Sequence, residues 1–171
     1  INNWRPRNYG GDYRGPVTLS EALAESLNTV AAQIGNEIGV DKVTALAHEF
    51  GVKSPLHNYP SITLGSDEVT LMDMTTGFGV LAKGGLQMNP YIIEEIRNSK
   101  GDLLYSNPVT NAPRIYPENL AADMNSMLTR VVVAGTGGAA RIPGWDVAGK
   151  TGTSQDWRDA WFLGYTTKFV G

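Results

Sequence analysis

One stretch near the C-terminal end constrains this chain more than any other: Gly144-Trp-Asp-Val-Ala-Gly-Lys-Thr-Gly-Thr-Ser154, followed by Asp159-Ala-Trp-Phe-Leu-Gly164. Letter for letter, Gly144 to Thr151 satisfies the phosphate-loop pattern G-x-x-x-x-G-K-[ST]. The same residues also read as a β-strand that carries Lys-Thr-Gly along a sheet edge. The two readings demand different folds. A phosphate loop needs a buried strand before its first glycine and a helix directly after its lysine, because the helix N-terminus and its free backbone donors hold the phosphates. Here Ala139-Ala-Arg-Ile-Pro143 precedes Gly144 and Thr-Gly-Thr-Ser follows Lys150, which is neither a buried strand nor a good helix opening. No apolar run ending in aspartate follows to hold magnesium. The phosphate loop therefore lacks its context.

The strand reading uses more of the residues. Lys150 places positive charge on an edge where a substrate carboxylate can lie, and Thr151 and Thr153 supply hydroxyl donors. Gly152 removes a side chain where substrate would rest against the backbone. An edge N–H can stabilise charge developing on an attacked carbonyl. From the triplet alone, a plain hairpin with a solvated Lys-Thr-Gly stands equally well.

Composition narrows the classes. A length of 171 residues suits one domain with a substantial core, and 42% hydrophobic with 18% charged residues excludes a disordered chain. A net charge of -3 leaves no basic footprint for nucleic acid. There are no cysteines, so disulfides and thiolate metal sites are out, although this does not fix the compartment. His48 and His57 are the only histidines and have no acidic or second-histidine cluster, so both are expected to be structural and no metal site is expected. Gly135-Thr-Gly-Gly-Ala-Ala140 matches the dinucleotide pattern G-x-G-x-x-A, but Pro143-Gly144 leaves no room for the helix it needs. It reads as a flexible connector, and no cofactor is expected. No apolar run approaches the ~20 residues of a membrane span. No signal peptide precedes Ile1, and an excerpt from a longer chain is expected.

The coarse pattern runs from helices to strands. Residues 1–16 have loop composition, with Tyr9 and Tyr13 expected to lie on another surface. Thr18-Leu-Ser-Glu21 is a capping box opening a helix with Leu19, Ala22 and Leu23 on its apolar face. Ser26-Leu-Asn28 interrupts it, since serine and asparagine compete for backbone hydrogen bonds and favour caps. Val30, Ala31, Ile34 and Ile38 then form a second helix ending at Gly39. Asp41 is the expected cap of a third, with Val43, Leu46, Ala47 and Phe50 inward and Gly51 as its stop. After a loop over residues 52–69, Thr70 opens a helix with Leu71, Met74, Thr75, Phe78, Leu81 and Ala82 inward, up to Gly84-Gly85. Tyr91–Ile96 and Asp102–Tyr105 read as a hairpin. Pro117 is expected in the first turn of a long helix, with Leu120, Met124, Met127, Leu128 and Val131 inward. Two strands follow, about Asp146–Ser154 and Ala160–Thr166, joined by a turn over Gln155-Asp-Trp-Arg158, and Phe169-Val-Gly171 starts a third.

These features occur in a family's order. The chain resembles the transpeptidase domain of class A, bifunctional penicillin-binding proteins over nearly its whole length. The resemblance rests on Tyr13-x-Gly-x-Val-Thr-Leu-x-x-Ala-Leu-x-x-Ser-Leu-Asn28, Thr63-Leu-Gly65 with Glu68-Val-Thr70, and Gly84-Gly85 with Pro90. It continues in Gly135-Thr-Gly137 and in Gly149-Lys-Thr-Gly-Thr153 with Asp159-Ala-Trp-Phe162. The family combines S-x-x-K, S-x-N and K-T-G elements. Each match is modest; together, in this order, they are specific.

The resemblance implies an α+β chain, part of the penicillin-binding/serine beta-lactamase-like fold, with an antiparallel sheet edge packed against a helical subdomain. The expected parts are residues 1–86, mainly helical with the S-x-N element, 87–116, hairpin and connector, and 117–171, helix and K-T-G strand region. The implied activity is D,D-transpeptidation of peptidoglycan. A serine attacks the penultimate D-alanine of a stem peptide, the last D-alanine leaves, and an amine from a neighbouring strand takes the acyl group. Stem peptides and beta-lactams are the implied partners, with the periplasm as the compartment and a membrane anchor and glycosyltransferase domain elsewhere in the protein. Carried over by position, Ser26 belongs to the proton-shuttling network and Asn28 bonds the substrate backbone. Lys150 supports the network and the substrate carboxylate; Thr151 and Thr153 hold that carboxylate, Gly152 gives it room, and the Thr153 N–H is half of an oxyanion hole. Trp161 and Phe162 are expected to pack the sheet. Without the resemblance, Ser26 and Asn28 read as a plain helix cap.

One element is absent. No serine in the chain has a lysine three positions later, and a serine nucleophile needs an adjacent base. The chain alone is therefore expected to be inactive, with nucleophile and opening strands upstream. The alternatives are a non-catalytic beta-lactam sensor or cell-wall scaffold, and a carboxypeptidase or beta-lactamase in which water replaces the amine.

Overall fold

The computed structural model describes residues 4–108, 112–154 and 159–171. The expected turn at residues 155–158 lies outside them. Three helices come first: α1 (Leu19–Ala24), α2 (Asn28–Ile38) and α3 (Val40–Glu49). A 3-10 turn at Pro60–Leu64 leads to α4 (Leu71–Ala82). A hairpin of β1 (Glu95–Arg97) and β2 (Leu103–Ser106) precedes the long α5 (Glu118–Ala134). The chain then makes a 3-10 turn at Gly138–Ala140 and closes with antiparallel β3 (Ala148–Thr153) and β4 (Ala160–Tyr165). Among the described residues no helix is long and apolar enough to cross a membrane.

Helix starts follow side-chain chemistry where a hydroxyl is in place. Thr18 accepts from the Glu21 amide, while the Glu21 carboxylate turns to Arg14. Thr70 and Asp73 form the full reciprocal box. Elsewhere the expected caps move. Asp41 sits inside the first turn of α3, because Gly39, at a positive φ of 105°, already turns the chain between α2 and α3. Pro117 takes the N-cap position of α5, one residue before the helix. Leu27, not Ser26 or Asn28, is the N-cap of α2, and it has no capping side chain of its own. Asn8 does that work from the N-terminal loop, its Oδ1 accepting from the Thr29 amide and hydroxyl, both at 3.1 Å.

The inward faces also differ from the apolar count. On α4 the buried set is Asp73, Thr76, Gly79 and Val80, whereas Leu71 is exposed. A carboxylate holds a core position because donors surround it: the Lys53 amide at 2.9 Å, the Ser54 hydroxyl at 2.6 Å and the Thr70 amide at 3.4 Å. Those bonds, led by Ser54, hold its pKa well below the usual carboxylate range. On α3 Leu46 is exposed and Thr44 is buried, donating to Asn58. On α5 Leu120 is exposed while Ala121, Leu128, Val131 and Val132 are buried. Tyr9 and Tyr13 are both largely exposed.

The core lies where α5 meets the C-terminal strands. Leu128, Ala148 and Tyr165 form it, with Leu23, Phe78, Leu81 and Met124 packed around them. Burial pushes the Tyr165 hydroxyl up to about 12. Phe162 fills the space over Gly149 and Gly164, where a β-carbon on either glycine would meet its ring. Trp161, also expected to pack, is 42% exposed. Residues 169–171 pair antiparallel with residues 164–166, as the expected third strand requires.

Candidate active site

The site forms where the end of α1 meets β3. Ser26 follows α1 with φ at 56°, a left-handed conformation uncommon for a residue with a side chain. Lys150 reaches it from β3: its Nζ donates to Ser26 Oγ at 2.8 Å, between residues 124 positions apart in sequence. The same ammonium donates to the Thr151 carbonyl at 3.0 Å and lies 3.4 Å from Thr151 Oγ1. Desolvation lowers its pKa, so it releases a proton more readily than a solvated lysine. No carboxylate pairs with it among the salt bridges of the described residues.

The register of β3 fixes which backbone groups face outward. Antiparallel partners alternate between pairs that exchange hydrogen bonds and pairs that do not. Gly164, opposite Gly149, spends both its N–H and its C=O on Gly171, away from β3. At the other end the Ser154 amide donates to the Asp159 carbonyl. Both observations set the same phase: Gly149, Thr151 and Thr153 turn their amides and carbonyls away from β4. Among the described residues β3 has no strand on that second side. Lys150 covers the Thr151 carbonyl, which leaves the Thr151 and Thr153 amides facing an open edge.

Gly152 and Gly149 are glycines for different reasons. A β-carbon on Gly149 would collide with Phe162 and with backbone of β4. At Gly152 it would only touch Trp161 Cβ at 3.7 Å, an ordinary contact, and no positive φ requires glycine there. The fold does not need the missing side chain at Gly152.

Asn28 lies apart from this cluster in its bonding, with Nδ2 donating to the Arg7 carbonyl at 2.9 Å. Its side chain thereby ties the N-terminal loop to α2. One residue joins the site that sequence reasoning gave no role. Thr136, after α5, places its hydroxyl 2.7 Å from Thr151 Oγ1. The only sequence signal was its place in Gly135-Thr-Gly137. That segment is no loose connector: the Thr136 amide donates to the Ala24 carbonyl at 3.0 Å, and a β-carbon on Gly135 would overlap the same carbonyl. Ser26 also lines a hollow of about 160 Å³ with Asn8, Asp12, Arg14 and Glu25. A separate cleft of about 400 Å³, beside α5 and Tyr165, includes neither Ser26 nor Lys150. No group of histidines, aspartates and glutamates suited to a metal ion occurs among the described residues.

The lysine–serine pair thus lies beside an open strand edge with outward amides. Residues 1–170 match the family described as penicillin binding protein transpeptidase domain. The chain belongs to that family. Penicillin-binding protein 1A of Rickettsia bellii is 34% identical over 190 residues, covering 98% of this chain and 24% of the relative. The Aquifex aeolicus protein of the same name is 35% identical over 168 residues, covering 98% and 23%. The chain thus spans about a quarter of the length of these relatives. Among solved structures, penicillin-binding protein 1A from Haemophilus influenzae superposes with a TM-score of 0.84 at 26% identity, covering 95% of this chain and 30% of that one. Penicillin-binding protein A of M. tuberculosis, solved as an imipenem acyl-enzyme complex, gives a TM-score of 0.78 at 25% identity, covering 97% of this chain and 43% of that one. The fold is that of penicillin-binding transpeptidase domains.

Proposed function

We propose that this chain forms the substrate-binding side of a D,D-transpeptidase that cross-links peptidoglycan stem peptides and is acylated by beta-lactams. The observation that carries the reading is the 2.8 Å bond from Lys150 to Ser26 beside the open edge of β3. In the full-length polypeptide, a serine outside these residues attacks the carbonyl carbon of the penultimate D-alanine. Its proton passes to an adjacent base, also outside these residues. The carbonyl becomes an oxyanion, and the outward Thr153 amide is aimed to donate to it. As the C–N bond breaks, Ser26 gives a proton to the departing D-alanine amine and draws one from Lys150. An incoming amine then attacks the acyl-enzyme; its proton refills the Ser26–Lys150 path, and the freed serine takes its own proton back from the adjacent base.

The remaining residues serve binding. Lys150 and the Thr151 and Thr153 hydroxyls hold the terminal carboxylate, and the space over Gly152 admits the substrate backbone. Asn28 bonds the stem peptide once Arg7 yields. A beta-lactam enters the same acylation step, but its amine stays tethered, so the acyl-enzyme persists. The substrate places this chemistry on the extracytoplasmic face of the bacterial membrane. The anchor and glycosyltransferase domain belong to the rest of the polypeptide.

The test is a double-mutant cycle in the full-length protein, read as the second-order rate of labelling by fluorescent penicillin. Ser26→Ala and Lys150→Ala should each slow it by about 100-fold or more. Because they share one proton path, the double variant should be little worse than the poorer single. Losses that simply multiply would remove the shared path, and normal labelling in either single variant would remove the reading.

A further inference from the structure

We infer that Thr136 is a positioning residue for the carboxylate end of the site, an inference that rests on the transpeptidase reading of Lys150 to Thr153. Three contacts fix it. Its amide is held by the Ala24 carbonyl at 3.0 Å, the last residue of α1. Its hydroxyl lies 2.7 Å from the Thr151 hydroxyl on β3. Lys150 closes the circuit by bonding both Ser26, two residues beyond Ala24, and the Thr151 carbonyl. Thr136 therefore bridges the same two elements as the Lys150–Ser26 bond, by a parallel route.

The neighbouring glycines make that bridge short. Gly135 is pressed on the Ala24 carbonyl, and a β-carbon on Gly137 would lie 3.2 Å from the Val131 carbonyl oxygen and 3.4 Å from Phe162. The threonine is the one side chain of the triplet, and it points to β3. Thr136 itself is exposed, so its hydroxyl bond adds little to stability. A structural role is a poor reason for the hydroxyl to be there.

Proton counting shows what the pair does. An ammonium can only donate, so Lys150, 3.4 Å away, takes a lone pair of Thr151 Oγ1. Thr151 then either donates to Thr136 or accepts from it. In both cases one hydroxyl proton of the two is spent within the pair and the other is left to donate outward at the strand edge. Thr136 thus keeps one oriented donor facing the place where a carboxylate would lie. Without it, only Lys150 restrains the Thr151 hydroxyl, and its proton must be ordered by the ligand.

The test uses the full-length protein, with penicillin and its methyl ester, whose carboxylate is masked. Thr136→Val keeps the shape and removes the hydroxyl; Thr136→Ser keeps the hydroxyl. For the free acid, Thr136→Val should lower the second-order acylation rate about tenfold, as loss of a donor to a charged group does. For the ester it should change the rate by less than about twofold, and Thr136→Ser should restore the free-acid rate to within about threefold. The melting temperature should not move. Thr151→Val is the control for the underlying reading and should show the same selective loss for the free acid. If Thr151→Val shows it and Thr136→Val does not, the role of Thr136 is overturned while the site stands. If Thr136→Val slows acid and ester equally, or Thr136→Ser fails to restore, its role is general packing and the inference is overturned. If Thr151→Val shows no selectivity, the carboxylate reading fails and the inference falls with it.

Discussion

At the scale of single residues, two charged groups carry opposite kinds of information. Lys150 has its pKa lowered by desolvation and, among the described residues, no salt bridge to a carboxylate to offset it, an arrangement suited to passing a proton. Asp73 has its pKa lowered because Ser54, Lys53 and Thr70 donate to it, an arrangement suited to holding α4 against the preceding loop. The sign for Asp73 is fixed by linkage. A carboxylate whose folded pKa lies below its unfolded value stabilises the fold fully above the unfolded pKa of about 4, and that contribution is lost as pH falls through the folded value. Asp73→Asn should therefore cost about 1–3 kcal/mol at pH 7 by urea unfolding, because a donor then faces donors. The difference from wild type should narrow when the measurement is repeated at pH 3. A gap that stays constant between the two pH values would show that the charge of Asp73 contributes nothing.

At the scale of elements, glycines separate what the fold needs from what a substrate needs. Gly135→Ala should cost about 1–3 kcal/mol, since the new methyl meets the Ala24 backbone carbonyl, which cannot move without displacing α1. Gly152→Ala should leave stability within about 0.5 kcal/mol, yet slow penicillin labelling of the full-length protein by about tenfold or more. Thermal unfolding and labelling rates measured on both variants check the contrast. The elements themselves were legible where local chemistry decides them: the hydroxyl caps at Thr18 and Thr70, the stop at Gly39, and the Lys-Thr-Gly strand whose neighbours exclude a phosphate loop. They were misread where distant residues decide. Asp41 lost its cap to the turn at Gly39, α2 is capped by Asn8 from a loop, and α4 turns Asp73 inward because three donors reach it from outside the helix. The Lys150–Ser26 contact was legible only through a family pattern, since a contact across 124 positions has no local signal. Thr136 was invisible for the same reason, being placed by Ala24 and Thr151.

At the scale of the whole molecule, the described residues leave apolar and hydrogen-bonding surface uncovered. Among the described residues the outer edge of β3 has no strand beside it, and Ile92, Leu103, Leu104 and Tyr105 around the β1–β2 hairpin are exposed. Unpaired edges and apolar hairpins seek partners. The isolated 171-residue chain should self-associate as its concentration rises, and light scattering should show the apparent mass climbing. A monodisperse monomer at high concentration would mean that these surfaces are better protected than their exposure implies. We propose that this chain holds and polarises a stem peptide but does not itself attack it, because no serine in it has a lysine three positions later. The direct measurement exposes the isolated chain and the full-length protein to the same fluorescent penicillin, followed by denaturing electrophoresis. A covalent label is expected on the full-length protein and none on the 171-residue chain; a covalent label on the isolated chain would show that it carries its own nucleophile and overturn this division of labour.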